Sequence, residues 1–217
     1  MGGGAVAGLI LYGMTVGVVL AAPIGPINIE IILRSIRSGF RSGWYLGLGA
    51  LSADTVYAAL VVSGLTPLAD RPGVRVPLFL AGALMLGYVG WGSVRKAVKG
   101  GVVDARSAVT SSGRKSYVTG FLMAAFNPMG IVYWLSVGAG LVADAVNRVG
   151  TVGAPVLVAG VFLGILCWVT SLSVLAQVSQ RFVTGEGMRW ITGASGIIVM
   201  GFGVWFLQQA ISGLLSR

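Results

Sequence analysis

Long apolar runs, separated by short polar and basic stretches, set the pattern of this chain. A run of about 18 residues or more is a membrane-span candidate, because ~20 residues rising ~1.5 Å each cover a ~30 Å hydrocarbon core. Six runs qualify, near residues 5–32, 43–64, 76–94, 117–142, 152–176 and 190–211. The last four hold no charged residue, whereas Glu30 lies close to the end of the first and Asp54 near the middle of the second. Links are short, so the pattern predicts a single membrane domain over 1–217, all-α, with no soluble domain attached.

Two of these runs are broken by proline. Pro23-Ile24-Gly25-Pro26-Ile27-Asn28 interrupts the first, and Phe126-Asn127-Pro128-Met129-Gly130 interrupts the fourth. Proline removes a backbone donor and does not fit inside a regular helix, and hydrocarbon supplies no water to the freed carbonyls. Such breaks persist where they line a cavity, so helices 1 and 4 are expected to be broken near the bilayer middle around a binding site or pore.

Dividing the chain at the basic stretch 95–116 leaves three helices in 1–94 and three in 117–217. An odd number per half requires the second half to insert upside down. Each half begins with a proline-broken helix and continues with a glycine-rich one, Gly43, Gly47 and Gly49 before Asp54, then Gly160 and Gly164 before Trp168. Two inverted three-helix repeats with discontinuous helices are the architecture of many secondary transporters.

Composition agrees with the pattern, since 56% hydrophobic residues and 10% charged ones do not describe a soluble domain. The first run has no Lys or Arg before Arg34 and is longer than a signal-peptide core, so an uncleaved first helix is expected. Cys167 is the single cysteine, which leaves no disulfide within one chain.

Eleven of the fifteen Lys and Arg residues fall in the first, third and fifth links, which predicts those links to be cytoplasmic and both termini to lie outside. Trp44, Tyr45, Trp91, Tyr117 and Trp190 sit beside these links, as headgroup-level aromatics would. The net charge of +9 is distributed over these juxtamembrane links, so anionic lipid, not nucleic acid, is the expected partner.

The run Pro23-Ile24-Gly25-Pro26-x-Asn28, followed by Arg34, Gly39, Arg41, Gly43, Gly47 and Asp54, resembles the first signature of the LysE/RhtB family of amino-acid exporters. The segment from Gly82 to Trp91 is similar to its third-helix motif, and Gly120-Phe121-Leu122 with Asn127-Pro128 to its fourth-helix motif. The glycine-rich last helix, with Gly193, Gly196 and Gly201, also fits. Two departures are the isoleucine between Pro23 and Gly25, found in only part of the family, and Met129 where many members have a basic residue. The resemblance implies a secondary transporter of the cytoplasmic (inner) membrane that exports an amino acid or derivative by proton antiport, not an enzyme, and without a cofactor.

The residues themselves give a compatible mechanism. A helix restarting after Pro23 to Pro26 offers unpaired N–H groups and its positive dipole end to a substrate carboxylate, and Asn127-Pro128 opens a second such end. Gly25, Pro26, Asn28, Asn127 and Pro128 are therefore the candidate substrate-binding residues. Asp54 is the candidate proton-coupling residue, because an ionisable group near the bilayer centre costs at least ~2.5 kcal/mol on insertion scales, the alternative being a hydrogen-bonded residue of helix packing. Glu30 is the second candidate for proton coupling, although Arg34 at i+4 makes a local ion pair a sufficient explanation. Tyr57 lies one turn after Asp54, placed either to donate to it or to face lipid, and Trp168 either gates the cavity or fills space.

With no histidine, one cysteine and scattered methionines, the chain offers no obvious metal site. It also lacks a Walker A pattern, which leaves an ion gradient as the energy source. Three alternatives remain: a passive channel, a metal-ion exporter of the same superfamily, and an intramembrane enzyme using Glu30 and Asp54, which requires both carboxyls to face one cavity. The Gly43-x-x-x-Gly47 and Gly160-x-x-x-Gly164 faces are expected to pack helices closely, and if exposed would allow a homodimer.

Overall fold

The computed structural model describes residues 3–23, 25–63, 72–98, 113–182 and 185–215, and among them every regular element is helical. In chain order the helices are α1 (Gly3–Ala21), α2 (Pro26–Ser38), α3 (Phe40–Val62), α4 (Pro72–Val98), α5 (Gly113–Ala125), α6 (Pro128–Tyr133), α7 (Ala139–Val149), α8 (Gly153–Ser179) and α9 (Gly185–Leu215). A π turn, Trp134–Gly138, joins α6 to α7, and a 3₁₀ turn, Gln180–Phe182, follows α8. Among the described residues, four stretches are long and apolar enough to cross a membrane: Gly4–Ala21, Phe40–Val62, Gly153–Phe182 and Glu186–Ser212.

The proline-broken runs are discontinuous helices. α1 ends at Ala21 and α2 restarts at Pro26, while α5 ends at Ala125 and α6 restarts at Pro128. Proline at the first helical position sacrifices no hydrogen bond, since that N–H has no intrahelical acceptor anyway. Most of the basic link, residues 99–112, lies outside the described residues, as does Ile24 in the first break.

Glycine decides how the helices meet. α1 runs against α8, α3 against α5, and α4 against α9, while α2 packs on α3 and α7 on α8. A Cβ on Gly160 would come 2.6 Å from the Ile10 carbonyl, and one on Gly13 would come 2.7 Å from that of Leu157, so α1 and α8 touch backbone to backbone. Gly49 and Gly120 make the same kind of approach, to Tyr117 and Leu46, between α3 and α5. Without a hydrophobic force between helices in lipid, such close packing is a main source of association. Gly43, Gly47, Gly160 and Gly164 are all buried against other helices of the same chain, so these faces are not the exposed ones a homodimer would need.

Two glycines with positive φ make the sharp turns. Gly39 (φ 82°) links α2 to α3 and Gly150 (φ 78°) ends α7 before α8, conformations a side chain rarely adopts. Each donates its N–H back into the preceding helix, to Ser35 at 3.1 Å and to Val146 at 2.8 Å.

Hydrogen bonds fix the register of α3. Ser42 and Ser116 share a 3.0 Å bond, and the Tyr117 hydroxyl donates to Ser52 at 2.7 Å, both towards α5. Trp44 donates its indole N–H to Thr170 of α8 at 3.1 Å, so this ring is turned into the protein and not outward like Trp91 and Trp190, which are exposed. Other α3 residues, Gly47, Ala50, Leu51 and Asp54, face the chamber described below.

Candidate functional site

The two breaks open on one chamber of about 640 Å³. Gly25, Pro26 and Asn28 border it from the first break, and Asn127 and Gly130 from the second. α3 adds a stripe of small residues, Gly47 and Ala50, followed by Leu51 and Asp54. Aromatic walls close two sides: Tyr133 and Trp134 beside the π turn, and Phe202, Trp205 and Phe206 from α9.

The first break is held by its own chain. The Asn28 side-chain amide donates to the carbonyls of Ala21 at 2.6 Å and Pro23 at 2.9 Å, groups that lost their helical donors when α1 stopped. Of the candidate binding groups on Asn28, the nitrogen is committed to the backbone and only the oxygen remains for other work. The first intrahelical bond of α2 runs from Ile29 N–H to the Gly25 carbonyl at 3.0 Å, and no side chain caps the helix start. Its positive end thus faces the chamber without a built-in anion.

The second break is held from across the bundle. Tyr57 of α3 donates its hydroxyl to the carbonyl of Ala125, the last residue of α5. This replaces both expectations for Tyr57, since the hydroxyl neither bonds Asp54 nor faces lipid. Asn127 caps the restart: its carbonyl accepts from Ile131 N–H at 3.2 Å, and its side chain lies over Gly130. α6 begins at Pro128, and that side chain lies outside the described residues.

Asp54 accepts a hydrogen bond from the Trp134 indole N–H at 3.1 Å. Trp134 is buried and wedged edge-on against Tyr133 and beside Phe162, ring centroids 6.4 Å and 6.1 Å away, so its N–H is held in a fixed place. Asp54 is the one charged side chain among the residues described as bordering the chamber.

Glu30 is placed apart from this set. It is buried on α2 with its carboxylate accepting from Arg34 at 2.8 Å, and it does not border the chamber with Asp54. The enzymatic alternative required both carboxyls on one cavity, and the geometry does not supply that. Arg37 and Lys96 lie in the same electrostatic neighbourhood; burial first, and then mutual repulsion among the cations, pulls both below their ordinary pKa values despite the opposing attraction of Glu30. Trp168 is not among the chamber's bordering residues either, and its indole N–H is buried with no hydrogen-bond partner among the described residues.

The residues missed from sequence are the aromatic ones. Tyr133 and Trp134 follow Pro128 by about one and a half turns, a spacing that carries no signal by itself, and the α9 aromatics resemble ordinary space-filling residues. Among the described residues, no group of three or more Cys, Asp or Glu gathers as metal ligands would.

Known proteins bear on the chain's identity. The family model described as LysE type translocator matches residues 18–210. The chain is 30% identical over 204 residues to the putative amino acid efflux protein YcgF of Bacillus subtilis, covering 94% of this chain and 97% of that one. It is 28% identical to the chemotactic transduction protein ChpE of Pseudomonas aeruginosa, over 82% of this chain and 86% of that one. It is also 28% identical to the threonine efflux protein of Escherichia coli, over 72% and 77%. No solved structure matches. A family match over most of the chain, joined to apolar helices of spanning length, makes this a multi-pass membrane protein that belongs to the LysE type translocator family.

Proposed function

We propose that the chain exports a small metabolite, an amino acid or a derivative of one, across the cytoplasmic membrane by proton antiport. Six spans carry it, arranged as two inverted three-helix repeats, 1–94 and 117–217, joined by the basic stretch 95–116, with both termini outside. The observation that carries the reading is that both helix breaks and Asp54 border one chamber. A substrate carboxylate meets the start of α2, its ammonium meets Asp54, and a proton takes the ammonium's place on the return.

The repeat reading is supported by the pairing of the helices. Exchanging the halves turns α1 against α8 into α5 against α3, leaves α4 against α9 unchanged, and turns α2 on α3 into α7 on α8. The turn glycines exchange as well, Gly39 for Gly150. A single carboxylate favours an ammonium over a multivalent metal cation, which takes several oxygen ligands.

Reconstituted protein tests the reading. In proteoliposomes an inwardly directed proton gradient is expected to accelerate amino-acid efflux, and Asp54→Asn, which keeps the shape and removes the titrating group, is expected to abolish that acceleration while leaving membrane insertion intact. Gradient-driven efflux that survives in the variant would reject the coupling role, and flux that runs without saturation or coupling in the wild type would favour a passive channel.

A further inference from the structure

We infer that the chamber selects zwitterionic amino acids with a large apolar side chain, which rests on the export reading above and narrows its substrate. Charged recognition on the border comes from the positive start of α2 and from Asp54, with Asn28, Asn127 and Tyr133 adding neutral polar groups, and that inventory fits one carboxylate and one ammonium. The rest of the border is largely apolar. Phe202, Trp205 and Phe206 form one wall and Trp134 another, with no second charged side chain described on the border.

The walls are stiff as well as apolar. Phe206 is buried and braced by Phe79, edge to face at 5.7 Å, and Trp205 leans on Phe206 at 5.4 Å. Trp134 is fixed by Asp54 and Phe162. Rigid aromatic walls do not collapse onto a small ligand, so a small side chain leaves contacts unmade, at a loss of roughly fourfold in affinity per missing CH₂.

Charge works in the same direction. A second ammonium, as in a basic amino acid, would lose its hydration against these rings with no carboxylate to replace it. A second carboxylate would meet the same wall and also the repulsion of Asp54. Neutral amino acids of the leucine, methionine and phenylalanine kind match both the charged groups and the aromatic walls of the chamber.

Counterflow in proteoliposomes with labelled leucine measures this directly. Phenylalanine and methionine are expected to compete at least ~10-fold better than alanine, lysine or glutamate. Trp205→Ala, at a partly exposed position, is expected to reduce that preference, and an unchanged preference would count against the aromatic wall. Quenching of tryptophan fluorescence in detergent, with Trp134 and Trp205 on the border, provides a second readout that needs no transport. Exchange in which lysine or alanine competes as well as phenylalanine would overturn the selectivity and leave export standing. Exchange and quenching by none of these amino acids would overturn both.

Discussion

The two helix breaks look alike in sequence and are held in different ways. At the first, Asn28 reaches back from α2 to the carbonyls of Ala21 and Pro23, so the irregular segment is closed by a residue within a few positions of it. At the second, the freed carbonyl of Ala125 receives its donor from Tyr57, which lies on α3 in the other half of the chain. One turn earlier on the same helix, Asp54 receives the indole N–H of Trp134 just beyond α6. α3 therefore grips the second break on both flanks, and the first break is self-contained. A change in Asp54 would be felt at the second break before the first.

This difference is open to attack by substitution. Asn28→Ala leaves two carbonyls without a donor and is expected to cost about 2 kcal/mol of stability. Hydrogen exchange measured by mass spectrometry is expected to rise over 18–31 and to stay unchanged over 122–138. Tyr57→Phe removes one donor, is expected to cost about 1 kcal/mol, and reverses the pattern, loosening 122–138. Faster exchange spread equally over both breaks in either variant would show that they are not separately held. The smallest effect belongs to Glu30→Gln, which keeps a neutral acceptor for Arg34 and is expected to lower stability by less than about 1 kcal/mol. Since Glu30 does not border the chamber, the pH response of efflux should be that of the wild type; an altered response would return Glu30 to the coupling machinery.

What the sequence disclosed follows from how local each signal is. The breaks are legible because proline carries its backbone consequence with it, and Pro26 and Pro128 do begin helices. Asp54 is legible as a chamber residue because a carboxylate is costly in an apolar run and needs a polar surrounding there. Partners are another matter. Tyr57 and Ala125 lie 68 positions apart, and Asp54 and Trp134 80, so no periodicity along the chain could pair them. Trp44 illustrates the same limit: its place beside a basic link fits a headgroup aromatic, but its position on the α8-facing stripe of α3 turns it towards Thr170. The π turn at Trp134–Gly138, which brings Trp134 to Asp54, has no residue signature comparable with proline.

Export through one chamber bordered by both breaks requires that solvent and substrate reach both of them. Single cysteines at Gly25 and Gly130 in a Cys167→Ser background test it most directly, since a Cβ at Gly25 meets nothing within 4 Å and one at Gly130 makes only ordinary contact with Asn127. Both thiols should react with a hydrophilic maleimide in proteoliposomes, and transported amino acid should protect both at the same concentration. A thiol at either position that is unreactive, or that substrate leaves unprotected, would contradict a shared chamber.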